Sequence, residues 1–137
     1  MVLGAILSSM PSTPNDRLRV FAFKAFVRFA RRFRLSDEAT WDVVRGPYDA
    51  SLGGGLYKYR IARPGEGARG GGRVLIALKA GQRAVLMFAW EKKDMENLDR
   101  NELKEYRDMA KIYLAFSEQQ MTEFVNRRVL VEIAQPQ

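Results

Sequence analysis

The sequence predicts an α+β domain built on a small antiparallel sheet. Three observations carry this: β-forming runs gathered mid-chain, helix-periodic segments on either side of them, and a length of 137 residues, which suits a single core. Residues 18–23, LRVFAF, alternate well enough for a first strand, with Val20 and Phe21 as β-formers. Residues 24–34, KAFVRFARRFR, put Phe26, Phe29, Ala30 and Phe33 at helical spacing and Arg28, Arg31, Arg32 and Arg34 on other faces. Ser36 is an N-cap candidate for a second helix, with Asp37 and Glu38 in its first turn where the helix dipole favours acids, and Gly46-Pro47 ends it. Strands are expected at 56–62, 73–79 and 83–90, the last two joined by a tight hairpin at Ala80-Gly81-Gln82. Residues 99–116 read as a helix with an apolar stripe of Leu103, Tyr106, Ala110, Tyr113 and Leu114. A short helical piece fits 117–124, and the terminal RRVLVEI reads as a strand. The order is β-α-α-β-β-β-α with a final β.

Composition narrows the function. A hydrophobic share of 47% with 28% charged residues argues for a globular chain over a disordered one. The net charge of +7 points to polyanionic partners. The absence of cysteine excludes disulfides, thiolate metal sites and cysteine nucleophiles, and the absence of histidine removes the side chain best suited to proton transfer near neutral pH. Any catalysis falls to Lys, Arg, Tyr, Asp or Glu, and a metal site would need oxygen ligands alone; no metal or other cofactor is expected. The opening MVLGAILSS lacks the basic start of a signal peptide, and no run reaches the roughly 20 apolar residues of a membrane span. Residues 1–16 are expected to form a flexible tail, 17–137 a single domain, and the chain to be cytoplasmic.

The stretch 53–73, GGGLYKYRIARPGEGARGGGR, holds the candidate site. Lys58, Arg60, Arg63, Arg69 and Arg73 are opposed there only by Glu66. Alternation along a strand puts Lys58 and Arg60 on one face and Tyr57, Tyr59 and Ile61 on the other. A hairpin-like return would bring Arg73 to the first pair, and Lys92 and Lys93 in the turn WEKKD would complete a ring of positive charge. Fixed cations without matching acids call for an anion, and a nucleic-acid backbone fits best. Turn chemistry is the commoner role for the glycines, and a solvated face the commoner role for the arginines of residues 24–34. The functional alternative for Arg28 and Arg32 is a second phosphate-contacting surface.

That block, followed by a hairpin and then FAWEKKDMENLDRNELK, resembles the HigB-like branch of the RelE/ParE toxin superfamily over residues 18–115. The terminal RRVLVEI is also similar to the last strand of some relatives. The resemblance implies a RelE-like fold, with two N-terminal helices packed on a small twisted antiparallel sheet and a C-terminal helix. It implies a ribosome-dependent mRNA endonuclease, the toxin of a type II toxin–antitoxin pair. Its partners would be the ribosome, mRNA and a small helix-turn-helix antitoxin of HigA type. Lys58, Arg60, Arg73, Lys92 and Lys93 fall on the family's catalytic positions, with Lys93 where close relatives carry Asn and Asp94 where they carry Glu. Arg63, Arg69, Tyr57, Tyr59, Arg28 and Arg32 are the further candidates for contacting RNA. Several relatives use a Tyr or His near the lysine turn to help with proton transfer; this chain has no His, its nearest tyrosines in sequence are Tyr57 and Tyr59, and the general acid is not assigned. A lysine crowded by other cations loses its proton more readily, which makes Lys58 and Lys92 the candidates for the base. Two other readings are a ParE-like gyrase poison of the same fold and a non-catalytic basic RNA-binding module.

Overall fold

The computed structural model describes residues 18–63, 71–95 and 97–137. Six strands and four helices occupy them: β1 (Arg19–Ala22), α1 (Lys24–Phe33), α2 (Asp37–Arg45), β2 (Ala50–Gly53), β3 (Leu56–Ile61), β4 (Gly72–Lys79), β5 (Arg83–Glu91), α3 (Arg100–Ala115), α4 (Glu118–Asn126) and β6 (Val131–Ile133). The strands form one sheet in the order β2-β3-β4-β5-β1-β6. Every neighbouring pair is antiparallel except β1 and β5, which run parallel with Phe21 opposite Val85.

The expected fold class is corrected on three counts. The sheet is six-stranded and mixed, not small and antiparallel, and it holds the centre of the molecule. Four helices flank it where the expected class had two N-terminal and one C-terminal, the fourth being the short helical piece expected at 117–124, and they cover both of its faces. An edge strand, β2, adds to the strands expected from the sequence.

One face of the sheet carries α1 and α2. Phe26, Phe29 and Phe33 lie on one side of α1 and pack with Trp41 and Val44 of α2 onto Val20, Tyr59, Ile61, Val74, Ile76 and Leu86. Phe29 and Phe33 stack with centroids 4.9 Å apart. The Trp41 indole donates to the Ile133 carbonyl at 3.1 Å and so ties α2 to the last strand. The other face carries α3 and α4 over Phe21, Leu56, Leu75, Val85, Met87 and Trp90. Tyr106 stacks on Phe88, with centroids 5.4 Å apart, and Ala110 is fully buried.

Local chemistry sets the helix starts. Ser36 caps α2 by accepting from the Ala39 amide. Asp99 and Glu102 form a capping box on α3, and Ser117 and Gln120 form another on α4. Gly53, Gly54 and Gly55 all have positive φ and make the turn from β2 into β3. That turn lies against Arg107, Lys111 and Leu114 of α3, so this glycine run serves chain reversal.

Candidate functional site

β3 and β4 lay the groundwork for the site through their register. Arg60 of β3 pairs directly with Arg73 of β4, and Arg73 pairs in turn with Trp90 of β5. Lys58, two residues before Arg60, pairs with Leu75. Cross-strand partners share a face, so Lys58, Arg60 and Arg73 all point to the α3 side of the sheet. Gly71 makes the tight approach between these strands possible. A Cβ there would stand 1.8 Å from the Ile61 carbonyl oxygen, so no other residue fits without moving the backbone.

α3 starts only at Arg100, so among the described residues no helix covers this corner of the sheet. A cleft of about 290 Å³ opens there, lined by Asp49, Ala50, Lys58, Arg60, Arg73, Lys92 and Asn97. Among the described residues, four cations thus meet one carboxylate. Lys92 arrives from the turn after β5, where its amide donates to the Gly71 carbonyl at 3.0 Å. The Asp94 amide closes the same turn on the Glu91 carbonyl. A smaller apolar pocket of about 60 Å³ adjoins the cleft, shares Lys58 and Asn97 with it, and is lined further by Leu52, Leu75, Trp90, Leu98 and Leu103.

The cations differ in how firmly they are held. Arg73 is 8% exposed, and its Nη1 donates to the Gly72 carbonyl at 3.0 Å. Burial fixes that guanidinium while leaving most of its donors unused by the protein. Arg60 is far more exposed, and its Nε lies 3.7 Å from Asp49. A pair so open to water holds the side chain only loosely. The Lys58 ammonium stands 3.5 Å from the Asn97 Oδ1. Asn97 sits just ahead of the α3 capping box, so the helix start places it.

The remaining predicted residues lie elsewhere. Lys93 is exposed in the turn and does not line the cleft. Arg63 folds back onto the end of α1, with its guanidinium 4.5 Å above the Phe33 ring and paired to Glu91. Tyr57 and Tyr59 face the α1–α2 side, and burial raises the Tyr59 hydroxyl pKa, with smaller contributions from Tyr57 and Tyr48. Arg28 and Arg32 are exposed on α1, which packs on the side of the sheet away from the cleft. Arg69 lies outside the described residues.

Asp49 and Asn97 are the cleft's two other polar groups. Asn97 falls within the sequence block that carries the resemblance but gives no sign of its own there. Asp49 gives none either, because β2 shows no periodicity to place it. Among the described residues, no group of three or more His, Cys, Asp or Glu side chains gathers to hold a metal ion. No helix among them is long and apolar enough to cross a membrane.

Lys58, Arg60, Arg73 and Lys92 are thus gathered on one cleft from two strands and a turn. The family model for the RelE toxin of the RelE / RelB toxin-antitoxin system matches residues 18–133, a span that takes in every strand and helix described above. None of the curated proteins matches the chain. The chain belongs to the RelE toxin family: it is a toxin of a toxin–antitoxin system, and its partner is an antitoxin.

Proposed function

We propose that this toxin is an endoribonuclease of the HigB-like branch that cuts mRNA on the translating ribosome, in the cytoplasm, and is held in check by a small helix-turn-helix antitoxin. The observation that carries the reading is the convergence of Lys58, Arg60, Arg73 and Lys92 on one cleft where, among the described residues, they face one acid. A surface that only docks on a folded protein has no need of four cations around one concavity.

Cleavage begins when the ribose 2′-oxygen gives its proton to a base and attacks the adjacent phosphorus. The bond from phosphorus to the 5′-oxygen then breaks, leaving a 2′,3′-cyclic phosphate and a 5′-hydroxyl. Arg73, fixed by burial, offers two parallel donors to the phosphoryl oxygens as their charge grows. Arg60, across the ladder, adds a second guanidinium. Lys58 and Lys92 lie on the same cleft and are the groups that take the 2′ proton and return one to the leaving oxygen. Fixed cations supply the charge stabilisation, so the reaction is proposed to need no metal ion.

Expression of the wild type and of Lys58→Ala, Lys92→Ala and Arg73→Ala in growing cells tests this reading. Wild-type protein should arrest growth with mRNA fragments bearing 5′-hydroxyl ends, and each variant should lose most of that effect. Growth arrest with intact mRNA and induction of DNA-damage signalling would show that the target is gyrase and that the proposal is wrong.

A further inference from the structure

A second groove, of about 430 Å³, lies on the opposite face of β3, and the proposed chemistry leaves it unused. Leu35, Ala39, Val43, Pro47, Tyr59 and Ile61 make it largely apolar. Its charged groups are Asp42 and Arg60. Arg60 also borders the cleft, so one side chain separates the two concavities. The edge of the sheet explains how. β2 pairs with β3 only as far as Ala50 opposite Lys58, so among the described residues no strand pairs with that side of β3 from Tyr59 onward. A strand whose phosphate lies in the cleft can pass round that edge at Arg60 and reach the groove.

The groove suits a different part of that strand. With one acid facing one cation and apolar walls, it offers a second phosphate no net attraction, but it can bury a planar apolar ring. Tyr48 stands next to Pro47 and is 49% exposed, although it belongs to an aromatic cluster. Its ring centroid is 4.3 Å from that of Tyr57 and 6.3 Å from that of Tyr59. Tyr57 and Tyr59 thus support Tyr48 from within, and half of its surface faces water. Aromatic rings beside a cationic groove are how single-stranded nucleic acids are gripped without sequence readout.

We infer that this groove is a nucleobase subsite, in which Tyr48 stacks against a base of the single-stranded RNA whose phosphate occupies the Lys58–Arg60–Arg73–Lys92 cleft. The inference rests on the nuclease reading and extends the substrate beyond the scissile phosphate. Arg60 is the hinge of the path, neutralising the backbone where it turns from one face of the sheet to the other.

The test is the affinity of a short, fluorescently labelled 2′-O-methyl RNA, which cannot be cleaved, measured over a series of salt concentrations. Tyr48→Ala should weaken binding roughly 5- to 150-fold, the range for losing one base–aromatic stack. The loss should be similar at every salt concentration, because stacking releases no counterions. Arg73→Ala should instead flatten the salt dependence, by about one phosphate contact's worth. Tyr48→Phe should bind like wild type, and Tyr48→Leu, which keeps apolar bulk without the ring, should behave like Tyr48→Ala. Wild-type affinity in Tyr48→Ala alongside weakened Arg73→Ala overturns the inference, leaves the cleft standing, and marks the groove as a surface for a protein segment. Failure of the wild type to bind this RNA at any salt also overturns the inference, while the nuclease reading is then decided by the mRNA fragments of the growth-arrest experiment.

Discussion

Arg73 is the residue with the most at stake. Strand register puts it between Arg60 and Trp90, and burial leaves it 8% exposed, so the main chain places its guanidinium. Such a group works through its two-pronged geometry as much as through its charge. Arg73→Lys is therefore expected to keep the fold but lose at least about tenfold in cleavage rate, and Arg73→Ala to lose on the order of 10²–10³. Single-turnover cleavage alongside thermal melting separates the two effects. Tyr59 is silent in the reaction but sensitive to alkali. Burial, then Tyr57 and Tyr48, raise its pKa above the ordinary value near 10. The folded state thus keeps a proton that the unfolded state releases, and stability falls as pH rises from the unfolded value toward the folded one. Tyr59→Phe should flatten the fall in melting temperature above about pH 10; an unchanged fall would assign it elsewhere, for example to Tyr106, which burial also raises. At this scale the sequence was legible through alternation, which already put Lys58 and Arg60 on one face and Tyr57 and Tyr59 on the other. It was silent on Asp49 and Tyr48, because residues in an irregular loop have no period to betray their direction.

Arg83 shows how one side chain joins several elements. At 4% exposed, it donates from Nη1 to the carbonyls of Tyr113 and Phe116 at 2.8 Å each, and from Nη2 to Glu118 at 2.8 Å. It thereby satisfies the end of α3 and grips the first residue of α4 from β5. Glu118 also receives Arg19, which in turn pairs with Glu132 of β6. Arg83→Ala leaves the part-buried carbonyls of Tyr113 and Phe116 without their donor and should cost about 1–3 kcal/mol of stability, read by denaturant unfolding. Glu118→Gln gives the pH counterpart. Burial pushes the Glu118 carboxyl up, but the hydrogen bonds and charges of Arg83 and Arg19 outweigh it and hold the pKa below 4.5. That stabilisation is present above the unfolded value and lost as pH falls through the folded one. Glu118→Gln should therefore melt earlier than wild type at pH 7 and converge with it in acid. Helices and long strands were readable because each carries a period and a cap: Phe26, Phe29 and Phe33, Ser36, Ser117 and the β4 run RVLIALK. β2, with only Ala50 to Gly53, was not, since its ASLG has neither alternation nor β-branching.

For the whole molecule, what stayed hidden was strand order. Nothing in LRVFAF says that it inserts between β5 and β6 and runs parallel to β5; only the packed core decides that. One clue to helices on both faces was present. RVLIALK and RAVLMFAW are nearly continuous apolar runs, the pattern of strands covered on both sides, whereas a sheet with one wet face would alternate. Among the described residues, that cover stops short of the corner where the cleft opens, and with a net charge of +7 the molecule brings a favourable field to any RNA that approaches it. RNA affinity should fall steeply as salt rises from about 50 to 200 mM, a loss measurable in the same titrations. Whether this cleft cuts mRNA on ribosomes is read by primer extension on a defined mRNA in a purified translation system, with wild type and Arg73→Ala side by side. Cuts are expected within codons at the ribosomal A site, dependent on ribosomes and absent with the variant. Intact mRNA with folded wild-type protein, or equal cutting by folded Arg73→Ala, would contradict that role for the cleft.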